Sequence, residues 1–312
     1  MLSWIVLLLV AAVWGGAFAA IRFILAFISP ADLLVARMLP TAVICLLVAL
    51  LFYRRETLRL FPRYWRLFVT ITVLWLFGYH YALNVGETVL PAGPAGLIIG
   101  TYPVFTVFLA APLLGERLTA GKIAGGLTAF AGTAFLMLFG ASHEGAQLHI
   151  EPSRWILFSL ITLIAPVSAA FHTIAAKPYL TGENRDRARI DPTLMTMLYM
   201  APASIFLIPM IAADPQSVAP AMPLSAWIAL AFLVIFCTLG AYVGWLWGVE
   251  RLGAGPAATS TYIIPLFSLA YARIWLGEPI GPGTIVGAVL IVAGVIAANV
   301  GWKVPRGSAV PG

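Results

Sequence analysis

Apolar residues recur in runs of about twenty from one end of the chain to the other, the length a helix needs to cross a bilayer's hydrocarbon core. The runs predict ten helices, over 2–27, 31–52, 66–86, 91–114, 121–139, 154–177, 192–212, 224–247, 254–276 and 281–301. Pro30, Pro91, Pro192 and Pro282 stand at or near predicted starts, where a missing N–H costs nothing. Pro40, Pro103, Pro202 and Pro265 fall inside predicted helices, where they free carbonyls and bend the rod.

The pattern is written twice. Leu90-Pro-Ala-Gly-Pro-Ala95, Pro103, Phe105, Leu114-Gly-Glu116 and glycines 121, 125 and 132 return 162 positions later. The second copy reads Leu252-Gly-Ala-Gly-Pro-Ala257, Pro265, Phe267, Leu276-Gly-Glu278 and glycines 283, 287 and 294. From Gly86 to Gly132, 17 of 47 positions are identical, which establishes an internal duplication. It divides the chain into 1–150, the inverted copy 151–302 and a polar tail over 303–312 that carries little expectation of order.

Charge then sets orientation. With the N-terminus inside, 14 of the 18 lysines and arginines fall at inner loops, leaving Arg22, Arg37, Arg154 and Arg273 in the outer half. Both termini are thus expected in the cytoplasm, and an odd number of helices per repeat turns the second copy upside down. The predicted fold is an all-α integral membrane protein of ten transmembrane helices in two inverted five-helix repeats. Such halves can exchange conformations around a central site, the arrangement of secondary transporters.

Composition narrows the classes. The chain is 62% hydrophobic and 10% charged, too apolar for a soluble domain. Its net charge of +6 comes from short inter-helix segments, so it speaks of membrane topology and not of nucleic acid. Cys45 and Cys237 lie in apolar runs and fit neither a disulfide framework nor a metal site. The first run has no basic leader and no small-residue cleavage site, so it reads as a retained span. Clustered carboxylates, HExxH and P-loop patterns are absent from the sequence, which argues against an enzyme and predicts no cofactor or metal. The expected partners are a small-molecule substrate and the lipid bilayer, with the chain a monomer or homodimer.

Polar and aromatic residues inside apolar runs are the pointers to a site, because a charge at mid-bilayer costs about 2.5–3.5 kcal/mol even on the gentler scales. Trp14, Phe18 and Arg22 form one stripe; His80, Asn84 and Glu87 form another, with Trp75 and Tyr79 beside them. Ser168, His172 and Tyr242 belong to the second half, and Tyr102 and Tyr262 stand next to prolines. These residues are read as the substrate cavity, with Arg22, Arg37 and Glu87 as a gate or ion pair. Ordinary packing fits the aromatic and histidine positions as well, and snorkelling fits the arginines. Trp4, Trp65, Trp155, Trp227 and Trp302 are read as interfacial anchors, and Glu116 and Glu278 as loop anchors. The glycines at 121/125 and 283/287 provide small-xxx-small spacing for a scaffold or a dimer face.

Trp14-Gly-Gly16 with Phe18 and Arg22, Arg37, and the paired Ala-Gly-Pro-Ala, Pro-x-Phe and Leu-Gly-Glu motifs resemble the EamA-type transporters of the drug/metabolite transporter superfamily. The resemblance runs from about Trp4 to Trp302 and implies ten helices, a central cavity and export of amino acids or related metabolites, aromatic ones included. Pro279 stands where the first copy has Arg117, a departure from the repeated pattern. A passive facilitator for small amphipathic solutes and a nucleotide-sugar-type exchanger are the other readings. The expected location is a bacterial inner membrane.

Overall fold

A computed structural model describes residues 2–115, 118–182, 189–252 and 260–300, and every regular element among them is helical. Eight helical segments are long and apolar enough to cross a membrane, and the chain is an integral membrane protein. Thr261–Leu276 and Pro282–Ala298 are apolar but shorter than that length, where the sequence predicts spans nine and ten.

α1 (Leu2–Ile24) and α2 (Pro30–Phe52) are joined by a tight turn. Ser29 and Asp32 cap α2 reciprocally: the Ser29 hydroxyl accepts from the Asp32 amide, and the Asp32 carboxylate accepts from the Ser29 amide, each at 3.2 Å. α2 runs unbroken through Pro40, so that proline does not interrupt the helix as Pro103, Pro202 and Pro265 do. α3 (Arg54–Val73) corrects the hydropathy reading, which leaves 54–65 as a loop. Thr57, Tyr64 and Phe68 recur at i, i+7 and i+11 and are buried, while all five arginines of the stretch are exposed. That amphipathic pattern makes a helix whose polar face stays wet. The backbone kinks at Tyr64 (φ −120°, ψ 26°), two residues after Pro62.

The rod continues through a π-helical segment, Leu74–Tyr81, into α4 (Ala82–Gly86). α5 (Ala92–Ile99) and α6 (Tyr102–Leu114) meet at a turn just before Pro103. α7 (Ala120–Gln147) and α8 (Pro152–Thr181) follow. α9 (Pro192–Met200) and α10 (Ala203–Ala213) are separated at Ala201–Pro202. α11 (Leu224–Ala231) passes through a second π-helical segment, Phe232–Gly240, into α12 (Ala241–Leu252). α13 (Ile264–Leu276), entered by a 3₁₀ turn before Pro265, and α14 (Pro282–Val300) complete the described chain. The two π-helical segments overlap at the repeat offset, residues 74–78 matching 236–240. Such i→i+5 stretches are rare and concentrate at functional sites.

α7 and α14 pack on each other through matched glycines. A Cβ at Gly125 would strike the backbone at Gly294 and Ala298, and one at Gly132 the backbone at Gly287 and Ile291. The small-residue seam is thus occupied within one chain. Gly294→Leu should overpack it, costing about 1–3 kcal/mol or more. We expect a lower melting midpoint for the detergent-solubilised variant, while Val289→Leu, at a position 62% exposed, should leave it unchanged. Trp155 corrects another expectation: it is fully buried against Gly140, whereas Trp4, Trp65 and Trp227 are exposed as interfacial residues are. The apolar surroundings of Trp155 outweigh its nearness to a helix end. Trp302, Glu116 and the tail lie outside the described residues.

Candidate functional site

Trp75, near the start of the first π-helical segment, is the hub of an aromatic cluster. Its indole N–H donates to the Tyr242 hydroxyl at 3.2 Å. Its ring meets His80 edge-on at 4.6 Å and Tyr199 at 5.9 Å between centroids. His80 also meets Tyr79 at 4.9 Å, Tyr199 meets His172 at 4.9 Å, and Tyr242 meets Trp14 at 5.6 Å. Trp14 in turn donates to the Cys237 carbonyl at 2.9 Å. The wide turns of the π-helical segment put Trp75 beside Tyr79 and His80 together. His80 is buried, and neither ring nitrogen has a hydrogen-bond partner among the described residues.

Arg37 lies against this cluster, 4% exposed. Its Nε and Nη2 donate to the Thr238 hydroxyl at 3.3 and 3.2 Å. That hydroxyl spends its own hydrogen on the Leu233 carbonyl five residues back, at 2.8 Å. The second π-helical segment therefore fixes Thr238 as an acceptor facing Arg37. The ion pair expected of Arg37 gives way to this neutral contact.

The other predicted residues separate. Phe18 packs in the core near Gly96, and Ser168 packs against Gly78. Asn84 donates to the Pro30 carbonyl at 3.3 Å, tying two helices together, and its Oδ1 has no partner among the described residues. Tyr262 faces a narrow crevice lined by Gly100, Pro265 and α14, within electrostatic reach of Tyr102. A roomier cavity of about 420 Å³ opens elsewhere, between the α1–α2 turn and the segment from Asp214 to Ala221.

One end of the bundle gathers charges. Arg22 donates to the main-chain carbonyl of Glu87 and not to its carboxylate, which corrects the expected side-chain pair. The Glu87 carboxylate is fully buried, and neither oxygen has a hydrogen-bond partner among the described residues. Glu278 instead accepts from the amides of Ala92 at 2.8 Å and Gly93 at 3.2 Å, the first two of α5. Those amides have no partner within their helix, and the helix dipole favours an anion there. The Leu-Gly-Glu motif of the second copy thus closes on the Ala-Gly-Pro-Ala motif of the first; the reciprocal pair, Glu116 with 254–257, lies outside the described residues. Gly277, in the left-handed region (φ 66°), ends α13 and releases Glu278 to reach across. Burial holds the Glu278 carboxyl above the usual carboxylate range against the pull of the Ala92 and Gly93 amides and Arg22. Burial, then the nearby Glu278, holds Glu87 well above it, with Arg22 and Arg37 opposing.

Sequence reasoning missed Tyr199, although one signal pointed there. Tyr199 is the repeat partner of Arg37, 162 positions on, as Tyr242 is of His80. The site is assembled from matched positions whose chemistry has diverged.

The EamA-like transporter family matches residues 2–138 and, a second time, residues 154–300. A probable terminal-alkyne amino-acid exporter of Streptantibioticus cattleyicolor is 32% identical over 94% of this chain and 92% of its own. An uncharacterized transporter of Archaeoglobus fulgidus is 29% identical over 95% and 98% of the two chains. A probable amino-acid metabolite efflux pump of Salmonella typhimurium is 28% identical over 76% and 80%. One crystal structure superimposes with a TM-score of 0.60 at 20% identity, covering 96% of each chain, and so shares the fold. The family match and the named relatives point to a transporter of small molecules rather than an enzyme.

Proposed function

We propose that this chain, which belongs to the EamA-like transporter family, exports amino acids or related amphipathic metabolites by alternating access. The observation that carries the reading is the cluster built from both halves. Trp14, Trp75 and His80 come from the first, and His172, Tyr199 and Tyr242 from the second. A site made by two halves changes shape whenever the halves move against each other. Its aromatic faces suit a hydrophobic side chain, and the open nitrogens of His80 suit a polar group. Two relatives with amino-acid transport in their names support the substrate class.

In this scheme the ten predicted helices all span the inner membrane, the halves 1–150 and 151–302 are inverted, and both termini and the tail face the cytoplasm. Glu278 on α5, with Arg22 on Glu87, closes the outer end. Export of amino acids from loaded proteoliposomes, greater for hydrophobic than for small polar ones, tests the function. Flux of every solute without saturation or exchange would mark a passive pore instead. Topology has its own test: a membrane-impermeant thiol reagent applied outside whole cells should label a cysteine at exposed Gln216 and spare one at exposed Arg55. The native Cys45 and Cys237 are buried and give little background. Labelling of Arg55→Cys alone would reverse the orientation.

A further inference from the structure

We infer that Arg37 binds the carboxylate of the transported molecule, so that the site takes amphipathic carboxylates and discriminates against the matching amides and amines. The inference rests on the proposed transport role and adds the charge of the substrate to it. A guanidinium cannot discharge itself by losing a proton. Buried within a membrane span, it requires compensation, and a neutral hydroxyl supplies little. Yet among the described residues both hydrogen bonds of Arg37 go to Thr238. The titratable groups within its electrostatic reach are Cys237, Tyr79, Tyr242, His80 and, behind them, Glu87, whose carboxylate accepts no hydrogen bond from it or from Arg22.

The geometry says what is missing. Thr238 holds two donors on one side of the guanidinium fork and leaves Nη1 without a partner among the described residues. A carboxylate oxygen pair fits such an edge. Tyr79 and Tyr242, close to Arg37, belong to the aromatic cluster, so an anionic head at Arg37 places an apolar tail against Trp75.

The test reads binding to purified protein in detergent, independent of flux. The probes are indole-3-propionate, its primary amide and tryptamine, followed by calorimetry on wild type, Arg37→Gln and Arg37→Lys. Wild type should bind the carboxylate on the order of 30-fold more tightly than either neutral or cationic probe. Arg37→Gln should bind carboxylate and amide alike, its affinity for the amide showing that the site is still folded, and Arg37→Lys should keep part of the preference. A merely structural arginine would lower all three affinities together and leave their ratio intact. Equal binding of carboxylate and amide by wild type would overturn the inference, as would no carboxylate binding at all. Export of amides as readily as carboxylates would also sink it while sparing the transport reading. Selective carboxylate binding without any flux would do the reverse.

Discussion

Alanine at Trp75 is expected to abolish ligand binding and to lower stability by about 3–5 kcal/mol, the cost of emptying a buried indole site. Trp75 is 3% exposed and touches His80, Tyr199 and Tyr242, which come from three separate stretches of chain. Phenylalanine should keep the edge contacts, each contributing about 0.5–1.5 kcal/mol, and lose only the N–H bond to Tyr242, for about 0.5–1.5 kcal/mol. Tyr242→Phe removes the same bond from the other side, together with the side-chain hydrogen bond between Tyr242 and Tyr199. The double variant Trp75→Phe/Tyr242→Phe should therefore bind no worse than Tyr242→Phe alone. Calorimetric affinities and melting midpoints for the four proteins decide it. Wild-type affinity in Trp75→Ala would remove the cluster from the site.

The helical class, the membrane and the duplication were all legible in the sequence, because hydrophobic run length and a gapless 162-residue offset are direct readings of the chain. What hydropathy cannot separate is a wet loop from an amphipathic helix. Arg54–Arg66 averages out as polar, although Thr57 and Tyr64 commit one face to the core. Proline was an uneven guide. The α5–α6 and α9–α10 breaks fall at Pro103 and Pro202, but α2 absorbs Pro40 without interruption. The π-helical segments have no signature in composition, and they decide which residues share a side.

Site residues were legible by type and only partly by position. Stripe counting at α-helical spacing groups His80 with Asn84, yet Asn84 turns to Pro30 while His80 turns to Trp75 and Tyr79. Local periodicity assumes α geometry, and Leu74–Tyr81 does not have it. Charge pattern pairs Arg22 with Glu87 at one level, but the contact goes to a main-chain carbonyl, which no charge pattern reveals. Glu278 was read as a loop anchor, and it anchors the first turn of α5 in the other half, a contact across 186 positions. Offset arithmetic was the stronger tool, since it leads from Arg37 to Tyr199 and from His80 to Tyr242.

Raising the pH is expected to open the end of the bundle where Glu278 meets α5. In the closed arrangement burial holds both Glu278 and Glu87 above the usual carboxylate range. Once opened and hydrated, each should return toward its ordinary value of about 4.3. Between the ordinary and the raised values the closed form binds more protons than the open one. Closure is therefore favoured in acid and lost as pH rises through the raised values. The groups facing the pair are Arg22 and Arg37, with Arg273 donating to the Glu278 carbonyl at 3.4 Å. The two carboxyls carry the response. Spin labels at the exposed positions Thr88 and Ile280 would report it by double electron–electron resonance. Their separation should lengthen as pH rises from the ordinary carboxylate value of about 4.3 through the raised values. Glu278→Gln should shrink the change, since an amide imitates the protonated acid but leaves Glu87 free to titrate. With Glu87→Gln added, the separation should stay short at every pH. A wild-type distance that ignores pH, or a double variant that still titrates, would show that these carboxylates do not work the gate.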